Sequence, residues 1–210
     1  MNGEELVEAV REACATELDR LGKEKALIAE TAASLERPDV LRAAGAAEAR
    51  AAATFESWAG DEPDETAREA FASVADTEAD HRGRVETLLD GSIGDPEPDP
   101  LHQYLAGLES TPERVGAGLV GRPLAAERTL LQGVNFFVNE ADNAAADEFR
   151  TIRSETQATV ETGAEVLDAV CADDGDWVVA RKAAEDAIGV AYDEYAETLT
   201  GMGLDPKPVC

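Results

Sequence analysis

Four stretches of this chain carry apolar residues at alternating three- and four-residue intervals, and each stripe contains a glutamate. That spacing puts the stripe on one face of an α-helix. The first runs Leu41, Ala44, Glu48, Ala51, Phe55, Trp58, and the second Ala67, Phe71, Val74, Glu78, His81, Val85, Leu88. The third runs Val120, Leu124, Glu127, Leu131, Val134, Val138, and the fourth Ala145, Phe149, Ile152, Glu155, Thr159, Val166, Val170. In the fourth, Thr156 is an alternative to Glu155 on the inward face. A carboxylate buried with its charge is strongly disfavoured unless it is paired or binds a metal. Four in one seam therefore demand compensating cations, or registers shifted by one residue that return these acids to a solvated edge.

Alanine, glutamate and leucine dominate and β-branched runs are rare, which favours helices throughout. The pattern predicts long helices at 3–34, 38–60, 64–90, 113–140, 143–172 and 176–201. Glu36-Arg37-Pro38-Asp39 separates the first two, and Gly60-Asp61-Glu62-Pro63-Asp64 makes a tight turn before the third. The Gly- and Pro-rich run from Gly91 to Pro100 cannot be helix, and 101–109 is read as a short helix within the connection. Pro123 should kink the fourth long helix or mark its true start. At 210 residues and 44% hydrophobic, the chain can form one sizeable core, read as a single domain over 1–210.

The four glutamates also agree in height. Glu48 lies about 14 residues before the first hairpin turn and Glu78 about 16 after it, while Glu127 and Glu155 lie about 14 either side of the second. At ~1.5 Å per residue all four fall ~21–24 Å from the turns. Two aligned hairpins would bring them together at mid-bundle. Glu78 and His81, at i and i+3, share a helix face.

A tight hairpin, a long crossover and a second tight hairpin, with Glu on one helix and Glu-x-x-His on the next, resembles the ferritin-like superfamily. Within it the chain resembles rubrerythrin-like proteins of halophilic archaeal type, without a rubredoxin domain. The resemblance covers 38–172, with 1–35 and 176–201 as accessory helices. It implies an all-α, ferritin-like four-helix bundle with one long crossover. It also implies a di-iron (or Mn/Fe) centre held by Glu48, Glu78, His81, Glu127 and Glu155, with Glu78 and Glu155 as bridges. The sequence departs from the pattern at Ala158, where the second Glu-x-x-His would place its histidine. That leaves a last metal position to water, Gln157 or Glu161.

Composition narrows the setting. The net charge is −27, and only Lys23, Lys25, Lys182 and Lys207 are lysines. Such a surface repels itself at low salt and is screened in molar salt, where the Debye length is ~3 Å. We read this as a cytoplasmic protein of a salt-loving cell. No Lys/Arg cluster suits nucleic acid or an anionic membrane. The acidic start MNGEELVEAVREA is unlike a signal peptide, and no apolar run nears the ~20 residues of a membrane span. Cys14, Cys171 and Cys210 form no C-x-x-C, and Cys14 and Cys171 read as small buried hydrophobes.

Two functions of different kinds follow. One is a rubrerythrin-like di-iron oxidoreductase that reduces peroxide in oxidative-stress defence, fed by a separate electron donor. The other is a ferritin-like scaffold or regulatory protein whose metal site is degenerate or absent, as Ala158 suggests; iron storage is a third reading. His102 in the crossover reads as a surface or packing residue, and Glu24 and Glu30 as solvated helix acids. Arg82 and Arg128 could support the metal-binding carboxylates or balance surface charge. The accessory helices and Phe136-Phe137 point to a homodimer.

Overall fold

The structure is a computed structural model that describes residues 1–207, so the Cys210 thiol lies outside the described residues. Those residues are helical with no strand among them. The chain opens with α1 (Gly3–Ala13), α2 (Ala15–Leu21) and α3 (Lys25–Glu30), three short helices where one long helix was expected. The breaks fall at Cys14 and around Gly22, so the segment can bend over the bundle. It ends where Ala32 and Ala33 adopt left-handed backbone, at φ 49° and 66°. The Ala33 amide then donates to the Ile28 carbonyl and closes the last turn.

The next pair, α4 (Arg37–Asp61) and α5 (Glu65–Leu89), form a tight antiparallel hairpin. Pro38 stands in the first turn of α4, and the Asp64 side chain caps α5 by accepting from the Ala67 amide at 2.9 Å. The crossover carries α6 (Pro100–Ala106), started by Asp99, whose side chain accepts from the His102 amide.

A second hairpin begins with α7 (Thr111–Val115), runs through a π-helical segment (Gly116–Gly121) into α8 (Arg122–Asn139), and returns as α9 (Asn143–Val170). Right-handed helical dihedrals persist through both junctions, so 111–139 is one continuous rod. Pro123 stands in the first turn of α8, as one of its two expected outcomes had it, with helical backbone continuing ahead of it as the π-helical segment. A proline withholds its amide from the helix and crowds the carbonyl four residues back. The wider π turn accommodates it, and the Arg122 amide reaches the Ala117 carbonyl, five residues behind.

Packing of α5 along α9, with α4 approaching α8, completes a four-helix arrangement. Phe55, Trp58 and Phe71 form an aromatic cluster at one end of it, and Phe137 and Phe149 pack with ring centroids 4.9 Å apart at the other. The third stripe closes on Leu130 and Phe137, while Val138 is exposed. Finally α10 (Asp174–Gly201) docks along the π-helical segment and α7. It buries Ala180, Ala184, Ile188, Tyr195 and Leu199 within the same chain. No described helix is long and apolar enough to cross a membrane.

Candidate metal centre

Midway along α4 and α5 the apolar seam gives way to Glu48, Glu78 and His81, all buried. Their ligand atoms lie within 4.8 Å of one another, the one such group among the described residues. His81 Nδ1 stands 3.4 Å from a Glu48 oxygen and 3.7 Å from Glu78 Oε2. Neither His81 Nδ1 nor Glu78 Oε2 has a hydrogen-bond partner, although both are buried. Such orphaned atoms are uncommon in a folded interior and call for an explanation. Here the two atoms lie 3.7 Å apart with a Glu48 oxygen 3.4 Å from Nδ1, a spacing that ligand atoms around one ion can have.

The other ring nitrogen explains how the imidazole is held. His81 Nε2 lies 2.8 Å from Glu155 Oε2. A carboxylate can only accept, so the proton sits on Nε2, and Nδ1 is the nitrogen turned toward Glu48 and Glu78. A carboxylate behind a histidine fixes its orientation and strengthens it as a metal ligand. Arg84 donates to the same Glu155 oxygen at 2.9 Å. Thr156 takes the buried position on α9, and Glu155 sits at the edge of the bundle. Glu155 thus reaches the centre through His81.

Glu127 is buried, as its stripe position required, but it faces another set of groups. Arg153 Nη2 donates to its carboxylate at 3.1 Å, Gln157 donates to the same oxygen, and Arg128 Nε lies 3.4 Å from the other. It does not join the Glu48–Glu78–His81 group.

The unanticipated member is Arg122. It is buried, donates to Glu78 Oε1 at 2.8 Å and lies over the Phe55 ring at 5.6 Å. Sequence reasoning passed over it because Arg122 precedes Pro123 and falls outside the Val120–Leu124–Glu127 stripe. The π-helical segment widens the turn and brings it inward. A usable signal was present in the flanking Gly116, Gly118 and Gly121, small enough to let the α10 backbone and the Phe55 and Trp58 rings close in.

The charges interact strongly. Burial and the neighbouring Glu78 carboxylate push Glu48 up to about 8. Burial would raise Glu78 too, but Arg122, Glu48 and His81 outweigh it and hold Glu78 well below the usual carboxylate range. Burial opposes the charged form of His81, yet the adjacent Glu48 and Glu78 override it and raise His81 to about 10. Without a metal the imidazole is therefore protonated at neutral pH and, with Arg122, offsets the Glu78 carboxylate, while Glu48 is held largely neutral.

Two carboxylates and one imidazole suit iron, manganese or zinc better than softer metals, which favour thiolates. The 3.7 Å spacing of the orphaned Nδ1 and Oε2 atoms fits such an ion. No protein-family model matches the sequence, and no curated protein or solved structure is detectably similar to it.

Proposed function

We propose that this chain is a ferritin-like helical bundle that holds one divalent first-row metal ion, iron or manganese, through Glu48, Glu78 and His81. The observation that carries this is the pair of buried, unpartnered atoms, His81 Nδ1 and Glu78 Oε2, 3.7 Å apart beside Glu48. Glu155 orients the imidazole by accepting its Nε2 proton. Arg122 holds Glu78 by its other oxygen, leaving Oε2 for the ion. Bound iron or manganese would supply a redox-active Lewis acid with open positions for a small oxidant.

A second ion, as the rubrerythrin resemblance implies, needs Glu127 and Glu155 as ligands. Both carboxylates are instead engaged by positive or amide donors: Arg153 and Gln157 for Glu127, Arg84 and His81 for Glu155. The difference is chemical as well as structural. Reduction of peroxide to water takes two electrons, and one ferrous ion gives one on oxidation to the ferric state. A one-ion protein of this kind would need an electron from its donor before a turnover is complete, where a two-ion protein would need its donor only afterwards. The scaffold reading is favoured by Arg122, whose guanidinium already offsets one buried carboxylate without any metal.

Metal analysis after anaerobic loading with ferrous iron, on the native protein and a His81→Gln variant, separates these readings. The expected result is one ion per chain, lost in the variant. Two ions per chain would establish a di-metal centre in its place and make peroxide turnover the deciding assay. No ion in a folded native protein would leave the scaffold.

A further inference from the structure

A cavity of about 280 Å³ lies between α3, α4, α8 and α10, with Glu48 and Arg122 in its wall. At the ~30 Å³ that one water occupies in the liquid, it has room for roughly nine heavy atoms. Much of its lining is hydrocarbon, including Leu27, Val40, Leu130 and Phe149.

The polar groups in the wall are unequal in what they leave free. Its cationic donors are committed, leaving only the Thr129 and Thr198 hydroxyls, which can donate or accept: Arg122 binds Glu78, and Arg50 binds the Glu97 carbonyl and pairs with Asp99 at 3.5 Å. Its acceptors are not. Glu30, exposed at the mouth, and Glu194, half-buried, have no hydrogen-bond or ion-pair partner among the described residues. His102 is only 6% exposed. Its Nδ1 lies 2.6 Å from Asp99 Oδ1, so the ring proton sits there, and Nε2 is left buried and unpartnered. Burial depresses His102, partly opposed by Asp99, so the ring stays neutral and Nε2 keeps its lone pair at neutral pH. Burial and the nearby Asp99 push Glu194 up to about 6. His102 also borders a second hollow beside Trp58 and Arg82, but the two unpaired carboxylates belong to the first cavity.

We propose that this cavity binds a small organic ammonium ion, its N–H groups donated to Glu194, Glu30 and His102 Nε2 and its hydrocarbon laid against Leu27, Val40 and Phe149. The free carboxylates and His102 Nε2 are acceptors; Glu194 is anionic at neutral pH, while burial and Glu194 raise Glu30 to about 7, so the pair carries at least one uncompensated negative charge and the complement is a cationic donor. A bare metal ion would leave most of the apolar volume unfilled. An ammonium of six or so carbons would fill it.

The test is calorimetric titration of the chelator-treated protein with n-hexylammonium, beside 1-hexanol and hexanoate as probes of the same length. Working without metal keeps the result independent of the Glu48–Glu78–His81 centre. Saturable binding of hexylammonium at least ~10-fold tighter than hexanol is expected, with hexanoate weaker still. Glu194→Gln and His102→Ala should each weaken hexylammonium at least ~5-fold and leave hexanol unchanged. Glu194→Gln replaces a half-buried group by its isostere, so it remains informative if His102→Ala unfolds. Equal binding of hexanol and hexylammonium would overturn the proposal, as would no saturable binding, or unchanged affinity in a folded Glu194→Gln protein. So would displacement of hexylammonium by stoichiometric cobalt(II) from a Glu48→Gln variant, which would make the cavity a metal site.

Discussion

His81 links the seam carboxylates to one another, because its two nitrogens face opposite partners. Nε2 is tied to Glu155 at 2.8 Å, and Nδ1 faces Glu48 and Glu78 without a hydrogen bond. This gives the metal-free protein a defined pH response. His81 is raised from 6.5 to about 10, so its contribution to stability is full below 6.5 and is lost as pH rises through 10. Glu48 is raised from 4.5 to about 8, so folding favours its neutral form, and that contribution is lost as pH rises through 8. Both act in the same direction between about 6.5 and 8. Glu78, held low, acts in the opposite sense, and its contribution disappears only in acid. The melting temperature of chelator-treated protein should therefore fall steadily from pH 6.5 to 8. Saturating ferrous iron, which takes the place of the His81 Nδ1 proton, should flatten that slope. A slope unchanged by metal would show that the ion binds elsewhere.

At the scale of elements, the π-helical segment determines how α10 and the second hairpin meet. A Cβ on Gly116 would stand 2.1 Å from the Ala180 carbonyl oxygen, and one on Gly121 would stand 2.4 Å from that of Ala184. Backbone therefore lies against backbone there, and neither partner can rotate away. Gly116→Ala should destabilise by at least ~1–3 kcal/mol through overpacking. Gly83→Ala is the contrasting case, since Gly83 lies inside α5 and a methyl group added there would have no neighbour within 4 Å. Relief of glycine's entropy in a helix interior should stabilise there by about 0.5–1 kcal/mol. Denaturant melts of the two variants should shift in opposite directions; a tolerated Gly116→Ala would mean that α10 is loosely docked.

The same segment shows where sequence reasoning was sufficient and where it was not. The long helices after residue 36 were legible to within a few residues, because stripes of 3.6-residue period and Pro or Asp at the starts act locally. Glu48, Glu78 and His81 were legible for the same reason: each interrupts an apolar stripe on a helix of regular pitch. The π turn changes that pitch, so Arg122 could not be placed by counting. The roles of Glu127 and Glu155 depend on which arginines reach them from α5 and α9, a tertiary matter that no single-helix pattern contains. His102, expected at the surface or as packing, is buried with a bare nitrogen, because the crossover folds back over α4. The single helix expected over 3–34 breaks because its docking to α8, α9 and α10 needs two changes of direction.

For the whole molecule, the decisive quantity is a net charge of −27 on 210 residues. Many of the ion pairs that offset it are surface pairs between neighbours on one helix, such as Lys182 with Asp186 and Arg150 with Asp147. Exposed pairs of this sort contribute ~0–1 kcal/mol each and leave the surplus of acid uncompensated. The surplus opposes compaction wherever it is unscreened. Raising potassium chloride from ~0.1 M to ~1 M shortens the Debye length from ~10 Å to ~3 Å. The melting temperature should climb across that interval, most steeply at its lower end, where screening changes fastest. Salts that strengthen burial, such as sulfate, would continue to raise it beyond ~1 M, where screening is already complete. Comparing chloride with sulfate at equal ionic strength therefore separates the two effects. Coincident curves up to that point would assign the stabilisation to screening of this acidic surface. A melting temperature flat in chloride and rising only in sulfate would assign it to burial of the core, and the reading of the acidic composition as an adaptation to salt would fall.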